Sequence, residues 1–378
     1  MNKTGTLIVT LALLLSNAMA GLDGTIVNTA LPAIISDLHG IQYMGWIVAV
    51  FLLGMAVATP LWSKLGERVG NRRAYEIATL LFAIGSIFQA LSSNIIFFLI
   101  ARTVMGIGAG GMNTIPFIIY ADLYTDLVKR AKVIGYATAS FSAASIIGPL
   151  IGGWIVDTFS WHWVFYINVP IALISILSVK FFFKEPKRTS TSEKVDYLGA
   201  STMIISLVIL LTGIQMIGTA SLTLVSILII VGLLLLILLF KVEEKAADPI
   251  IPNRLFKNSP LLVDFMLFAL LWGAFIAFNI YIPMWAQGLL GLSALIGGAT
   301  QIPGSITNFA GSVVGSHMQS QLGKYKMVAL GTLAFIISFG IMALAKITIP
   351  VWLLLVAGAF EGFGLGLSFN VLQISVQD

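Results

Sequence analysis

The sequence contains no cysteine and very few charged residues. Without cysteine, disulfides, thiolate metal sites, iron–sulfur clusters and a cysteine nucleophile are all excluded. Asp, Glu, Lys and Arg make up only 10% of the residues, against about a quarter in soluble proteins, while 58% are hydrophobic. With 36 Gly and only 12 Pro, a collagen-like or disordered chain is excluded as well. This composition indicates a membrane protein.

Motifs for enzymatic chemistry are also missing. The sequence has no G-x-x-x-x-G-K-[ST] phosphate loop, and His39, His162 and His317 form no H-E-x-x-H pair. Residues 106–111 match a dinucleotide fingerprint in form, but no strand precedes them and they lie in an apolar segment. We therefore expect neither an enzyme nor a metal or cofactor site, and no nucleic-acid partner.

Twelve apolar segments are each long enough to cross a membrane, which takes about 20 residues for a hydrocarbon core of about 30 Å. The predicted spans are residues 7–36, 43–62, 74–92, 95–120, 133–157, 163–183, 196–217, 221–240, 260–285, 294–316, 327–345 and 350–370. The N-terminus resembles a cleaved signal peptide, with small residues at 18–20, but its apolar run continues to Ser36 and favours a span. The predicted fold class is an all-α polytopic membrane protein.

The basic residues predict the orientation of these spans. Of the 21 Lys and Arg residues, all except Arg102 and Lys346 lie at the N-terminus or in loops on one predicted side. Cytoplasmic loops carry the excess of Lys and Arg, so both termini are predicted to be cytoplasmic. The expected location is the plasma membrane of a bacterium.

Two short sequence motifs recur later in the chain at similar residue offsets. The G-x-G-x-G pattern of residues 106–110 returns 256 residues later at 362–366, and the loop 69–73 returns 253 residues later at 322–326. Chance similarity between glycine-rich helices is the alternative, and the agreement of the two offsets argues against it. Spans nine to twelve are therefore predicted to repeat spans one to four, with spans seven and eight as an inserted pair.

Several short motifs combine charge with glycine. Residues 63–73 join spans two and three and are predicted to form an ion-pair latch against neighbouring helix ends, a role that involves Glu67, Arg68, Gly70 and Arg72. A plain basic loop is the alternative, but it would need neither the acidic residue nor two glycines. In span five, proline bends the helix and glycines let a neighbour approach closely, at Gly148, Pro149, Gly152 and Gly153. A simple packing kink is compatible with this interpretation.

Two of the ionisable residues inside predicted spans belong to recognisable motifs. A charge at the membrane centre costs at least about 2.5–3.5 kcal/mol, so Arg102 is expected to face the protein interior with a partner. Asp23 lies in span one within L-D-G-T-I-V-N-T-A-L-P, which also contains Asn28. An ionisable group at this depth is a functional candidate by default, and a structural hydrogen bond is the alternative.

These motifs together resemble the major facilitator superfamily, and specifically its fourteen-helix drug:proton antiporter branch. The stretch W-H-W-V-F-Y-I-N-V-P at 161–170 adds to the resemblance. The chain departs from that branch at Ser63 and Glu67, where Gly and Asp are usual, and at Met105, where Gln is common. The resemblance implies major-facilitator-type helical bundles grouped as six, two and four: residues 1–183, an inserted pair at 184–253, and an incomplete bundle at 254–378. On that layout about 60 further residues would complete the repeat, and this chain is expected to transport poorly.

The resemblance also implies a function. It implies proton-driven export of lipophilic, cationic drugs by alternating access, with the proton gradient as energy source and no cofactor. Asp23, tuned by Arg102, is the first candidate for a carboxylate that binds either a proton or a drug. Glu361, just before the second glycine run, is the second, with a helix-packing carboxylate as the alternative.

Candidate drug contacts and rival functions complete the interpretation. Aromatic faces attract cations, and the aromatic candidates are Trp46, Trp272, Phe275, Tyr281 and Trp285, with Asn28 as a polar candidate. Such aromatic residues more often serve ordinary packing or an interface belt. The alternative function is a non-transporting membrane scaffold or sensor derived from such a transporter. An importer with the same fold is disfavoured by the span-five motif in its antiporter context.

Overall fold

The computed structural model describes residues 3–186, 197–244, 259–345 and 349–377, which form helices and contain no β-strand. A single 3₁₀ turn, Ile41–Tyr43, precedes the second helix. The helices are α1 (Lys3–Asp37), α2 (Met44–Val69), α3 (Asn71–Ala90), α4 (Ile95–Leu123), α5 (Leu127–Thr158), α6 (Trp163–Tyr166), α7 (Asn168–Phe182), α8 (Tyr197–Gln215), α9 (Leu222–Glu243), α10 (Ser259–Gly288), α11 (Ala294–Ala299), α12 (Ile302–Leu322), α13 (Lys324–Ala343) and α14 (Val351–Gln377).

Helical structure is present in every one of the twelve predicted spans, which confirms the all-α fold class. Within the described part of the chain, ten helices are long and apolar enough to cross a membrane. The two predicted spans outside this set are those of α3 and α12. Polar side chains lower their hydropathy: Arg73 and Glu76 lie in α3, and Asn308 and His317 in α12.

Two of the predicted spans are interrupted, although the stretch Trp163–Phe182 still counts among the ten that could cross a membrane. Span 163–183 is divided into α6 and α7, and span 294–316 into α11 and α12. The second break lies at Thr300 and Gln301, and Pro303 follows in the first turn of α12. Proline has no N–H to donate, so it is tolerated at the start of a helix but not in its interior. Pro303 was therefore a signal for this break.

The chain forms two compact units. The first contains Met1–Ala20, Ile35–Phe141 and Phe165–Asn253, and the second contains Gly21–Ile34, Ser142–Val164 and Arg254–Asp378. The middle of α1 and the second half of α5 thus belong with the later helices. The predicted division at residues 183 and 253, and the grouping of helices as six, two and four, stay predictions.

Close helix packing in each unit follows the predicted repeat. In the first unit a Cβ on Gly106 would collide with Phe51 of α2, and one on Gly110 would lie 2.8 Å from the Met55 carbonyl. In the second unit a Cβ on Gly362 or Gly366 would collide with the backbone of α12.

The residues that these glycines contact also occupy corresponding positions in the two units. Gly362 meets Gly304 and Gly366 meets Asn308, which stand 253 residues after Phe51 and Met55. Small residues let membrane helices approach closely and gain van der Waals contact. Equivalent glycines thus pack on equivalent positions in these two helix pairs, as the predicted repeat requires.

The turns that precede α3 and α13 also match. Gly70 and Gly323, 253 residues apart, are the N-terminal cap residues of these helices, with φ of 95° and 76°. Positive φ strains residues that have a Cβ, which explains glycine at both positions. The repeat therefore extends to backbone conformation.

The helices of the predicted inserted pair, α8 and α9, pack on each other within the first unit. Gly232 of α9 approaches the backbone of Leu210 in α8. Met203 of α8 and Leu239 of α9 share a small apolar core with Val57 of α2.

Candidate functional site

The middle of α1 places a carboxylate in the interior of the second unit. Asp23 is wholly buried, and Asn28, further along the same helix, is buried as well. Burying a carboxylate is costly unless it is neutralised, paired or hydrogen-bonded. The interior of the second unit must therefore neutralise, pair or hydrogen-bond this acid.

α5 lies directly against this part of α1. A Cβ on Gly148 would collide with the Thr25 hydroxyl, and one on Gly152 would lie 2.6 Å from Cγ1 of Ile26. Only glycine permits this approach. Because Asp23 lies within one turn of Thr25, any movement of α5 against α1 would change the surroundings of the carboxylate.

The other side of the span-five motif contacts α11. A Cβ on Gly153 would collide with the backbone of Ala294 and Leu295, and one on Gly298 would collide with the Pro149 carbonyl. The glycines of the motif therefore let α5 touch two helices at once.

Asp157, in the last turn of α5, caps the N-terminus of α11. Asp157 Oδ1 accepts a hydrogen bond from the Ala294 N–H at 3.0 Å, and Oδ2 accepts one from the Leu295 N–H at 2.8 Å. Ser293 Oγ accepts a third from the Ile296 N–H at 3.3 Å. A helix start leaves four N–H groups without intrahelical partners, and a carboxylate there is also favoured by the helix dipole.

A further hydrogen bond ties α10 to α1, from Gln287 Nε2 to the Thr29 carbonyl at 3.0 Å. We call this set of contacts the interlock, and its residues are Thr25, Ile26, Thr29, Gly148, Pro149, Gly152, Gly153, Asp157, Gln287, Ala294, Leu295 and Gly298. The sequence indicated Gly148, Pro149, Gly152 and Gly153 but not Gly298, Asp157 or Gln287. A Ser at 293 before an apolar run was the available signal for a helix start.

Arg102 lies inside the first unit, on α4. Its side chain is 3% exposed, and its guanidinium carbon lies 4.2 Å from the ring centroid of Phe51 on α2. Nε donates a long hydrogen bond, 3.4 Å, to the Ile47 carbonyl. A desolvated cation over an aromatic face gains up to about 2 kcal/mol. Arg102 and Asp23 belong to different units, so the predicted influence of one on the other stays a prediction.

Sequence reasoning missed a buried amide beside Arg102. Gln89 of α3 is wholly buried, and its Nε2 lies 2.7 Å from Sδ of Met105. Met105 stands where related sequences commonly carry Gln. The first unit therefore has a glutamine amide beside Met105, but Gln89 of α3 supplies it instead of residue 105 of α4.

The 63–73 motif is mostly helical, because α2 continues through Val69 and only Gly70 separates it from α3. Asn71, the first residue of α3, bonds two acids from distant parts of the chain. Its N–H donates to Glu185, and its Nδ2 donates to Asp122 Oδ2 at 3.4 Å. Neither acid was anticipated.

The charged residues of this motif differ in their surroundings. Arg72 pairs with Glu76 at 3.5 Å, and Glu67 and Arg68 are exposed on the last turn of α2. At the corresponding turn of the second unit, Lys324 Nζ lies 2.9 and 3.0 Å from the two oxygens of the buried Asp264. Both turns thus contact acids from distant parts of the chain.

Glu361 lies in α14 and is 1% exposed. Asn279 Nδ2 of α10 donates to Glu361 Oε1 at 3.5 Å, and Gln301 Nε2 donates to the Asn279 carbonyl at 2.5 Å. Two of the predicted site residues, Glu361 and Asp23, are therefore both buried acids of the second unit.

Within the second unit the predicted aromatic residues do not form one group. Trp272 stacks on Phe275, with ring centroids 5.4 Å apart, and lines a small, partly open pocket with apolar neighbours. Trp285 lies thirteen residues further along α10, about 20 Å away, and Tyr281 is 56% exposed. Trp46 is partly buried in the first unit.

In the described ranges no group of three or more His, Asp or Glu could hold a metal ion.

Comparisons with known proteins agree with this architecture. The chain is 33% identical to Multidrug resistance protein 3 of Bacillus subtilis over 98% of this chain and 72% of that protein. It is 31% identical to Multidrug transporter protein MdtP of the same organism, over 99% and 69%. It is 29% identical to Multidrug efflux pump SdrM of Staphylococcus aureus, over 94% and 80%.

Solved structures with a similar fold are those of membrane transporters. A D-xylose-proton symporter has a TM-score of 0.63 at 14% identity, covering 98% of this chain and 88% of its own. The POT family transporter PepTSo has a TM-score of 0.66 at 13% identity, covering 97% and 83%. The family model described as Major Facilitator Superfamily matches residues 13–378. The chain is therefore a multi-pass membrane protein of the major facilitator superfamily.

Proposed function

We propose that this protein exports lipophilic, cationic drugs in exchange for protons by alternating access. Three relatives are named multidrug resistance, transporter or efflux proteins, which supports drug export. Energy would come from the proton gradient without a cofactor. The basic loops support the further proposal that both termini lie in the cytoplasm of a bacterial cell.

The observation that carries the proposal is the wholly buried carboxylate of Asp23 beside the interlock. A buried carboxylate binds either a proton or the cationic group of a drug, because either neutralises it and both cannot bind together. Each ligand must then leave before the other enters. That competition makes the transport an exchange.

The remaining site residues have roles in the movement. The interlock closes the predicted extracellular ends of α5 and α10, where the loops that follow carry no Lys or Arg. The Asn71 contacts, with Glu67, Arg68, Gly70 and Arg72 around them, lie at the predicted cytoplasmic end and act as the opposite latch. Alternating access requires that these two sets of contacts open in turn.

The test is drug-dependent proton movement by the full-length protein in liposomes. Asp23→Asn keeps the shape of the side chain and one acceptor oxygen but cannot exchange a proton. Asp37→Asn is the matched control, because Asp37 is an exposed acid at the end of the same helix. We expect proton movement to fall to background in Asp23→Asn and to be unchanged in Asp37→Asn.

Thermal unfolding of both variants checks that they are folded. Normal exchange by folded Asp23→Asn would remove Asp23 as the coupling carboxylate. A wild-type protein that moves drug without protons would remove the proposed antiport itself.

A further inference from the structure

An asparagine inside the membrane-spanning part of α4 makes fewer hydrogen bonds than its amide allows. Asn113 stands ten residues, about 15 Å, before the end of α4, which is within the hydrocarbon depth. Its side chain is half-buried, and within the described residues its one hydrogen bond runs from Nδ2 to Sδ of Met55 on α2, at 3.2 Å. A thioether is a weak acceptor. The amide therefore keeps Oδ1 and one N–H for another partner.

Backbone contact between α2 and α4 fixes this pair of side chains. A Cβ on Gly110, one turn before Asn113, would lie 2.8 Å from the Met55 carbonyl. One turn earlier still, a Cβ on Gly106 would collide with Phe51. Close-packed contacts of this kind resist small displacements. The amide of Asn113 is therefore presented from a fixed position.

An aromatic ring lies on the same side of α4. Phe117 follows Asn113 by four residues, so the two share a helix face, and Phe117 is 40% exposed. Its ring meets the ring of Tyr120 edge to face, with centroids 6.3 Å apart. An amide and a partly exposed ring thus lie one turn apart on one face of the helix.

This face differs from a surface that meets lipid. In residues 227–238 of α9 every exposed side chain is aliphatic, as a hydrocarbon surroundings requires. On α2, by contrast, the half-buried side chains at four-residue spacing after Met55 are those of Thr59 and Ser63, which are polar. An amide with unmet hydrogen bonds is strongly unfavourable in hydrocarbon. The face that carries Asn113 therefore meets water or a ligand, not lipid chains.

Packing alone does not require an amide at this position. The counterpart of Asn113 in the second unit is Phe369, 256 residues later, and that of Met55 is Asn308, 253 residues later. Helix α14 makes backbone contact with α12 although it carries an aromatic residue at this place. The amide of Asn113 is therefore free for a role other than joining helices.

From these observations we infer that Asn113, Met55 and Phe117 form a contact site for the aromatic part of a lipophilic cation. The inference deepens the proposed function and rests on it for the class of ligand. Asn113 Oδ1 accepts a hydrogen bond from an amino group of the ligand, and the Phe117 ring offers a surface on which an aromatic cation stacks. The thioether of Met55 adds a polarizable contact at the edge of a ring. Asn113 is then a residue that determines specificity.

The first arm of the experiment tests whether this face is open to water. The chain has no cysteine, so Asn113→Cys carries the only thiol in the purified full-length protein. We expect a charged, membrane-impermeant thiosulfonate to label it in lipid nanodiscs. Ethidium, a planar aromatic cation, should slow that labelling about tenfold at about ten times its Kd.

The matched control for labelling is Leu80→Cys on α3. Leu80 is 48% exposed and stands nine residues, about 13 Å, after the start of α3, which is a similar depth. The exposed side chains on that helix from Ile77 to Phe88 are apolar, so this surface meets lipid. We expect Leu80→Cys to stay unlabelled with and without ethidium.

The second arm measures equilibrium binding of ethidium by its fluorescence, with no gradient. Asn113→Leu removes the amide at similar volume, Phe117→Leu removes the ring, and Asn113→Asp adds a negative charge. We expect Asn113→Leu to weaken binding about tenfold and Phe117→Leu about threefold, whereas Asn113→Asp should tighten it. Phe88→Leu, which replaces a phenylalanine of α3 that is 44% exposed, should bind as the wild type does.

Thermal unfolding checks that each variant is folded, and tighter binding by Asn113→Asp cannot result from misfolding. The inference is wrong if Asn113→Cys is as unreactive as Leu80→Cys, or if folded Asn113→Leu and Phe117→Leu bind ethidium as the wild type does. Binding lost in Asn113→Leu supports the site even if no protons move in the exchange test. Proton exchange with binding unchanged in Asn113→Leu removes the site and leaves the proposed export intact.

Discussion

Asp157 is the residue whose contribution to the interlock is easiest to isolate. Its side chain is exposed and joins no apolar core, so its contacts with α11 are the two hydrogen bonds to the Ala294 and Leu295 N–H groups. Removing a helix-capping acceptor costs about 0.5–2 kcal/mol. The carboxylate can therefore be deleted without making a cavity.

We predict that Asp157→Ala loosens the start of α11. A cysteine placed at Ala294, which is buried in the interlock, should react faster with a membrane-impermeant maleimide when Asp157 is absent. A loss of about 1–2 kcal/mol corresponds to about a 5–30-fold increase in opening. Asp126→Ala, which removes a cap at the opposite end of α5, should leave the labelling rate unchanged. Equal labelling in Asp157→Ala and the parent protein would contradict this role.

At the scale of the helices, the glycine faces of α4 and α14 position the rest of each unit. Their backbone contacts with α2 and α12 leave no space for a methyl group. Adding atoms to a close-packed contact typically costs about 1–3 kcal/mol. Elsewhere in the second unit, Gly273 of α10 has no atom within 4 Å of an added Cβ.

We therefore predict opposite effects for two Gly→Ala changes. Gly362→Ala should lower the thermal unfolding temperature of the purified protein, because α14 must move away from Gly304. Gly273→Ala should leave it unchanged or raise it, since alanine favours helix by up to about 1 kcal/mol over glycine. A Gly362→Ala protein as stable as the wild type would show that the contact with Gly304 is not tight.

The sequence predicted helices better than it predicted their contacts. Hydrophobic runs specify where helices lie in a membrane, so every predicted span contains helix, and the Gly runs correctly indicated close packing. Asp157 was missed because its partners at 294 and 295 lie far along the chain, and no periodicity links them. Gln89 and Glu185 were missed for the same reason. The break at Gln301 was missed although Pro303 indicated it.

At the scale of the whole molecule, the topology is open to a direct test. The chain has no cysteine, so single cysteines report accessibility without background. We predict that Ser190→Cys and Lys245→Cys, both outside the described residues, are labelled only from the cytoplasm. Thr219→Cys and Leu290→Cys should be labelled only from outside. Labelling of positions 190 and 219 from the same side would remove the predicted seventh span.

Dependence of drug export on the proton gradient is tested most directly by one flux measurement. The full-length protein is reconstituted in liposomes, a pH gradient is imposed, and movement of a lipophilic cation is followed with and without a protonophore. Exchange predicts that the cation moves against its concentration only while the gradient lasts, and that reversing the gradient reverses the direction. Equal movement with the gradient present, reversed or collapsed would contradict proton-coupled antiport.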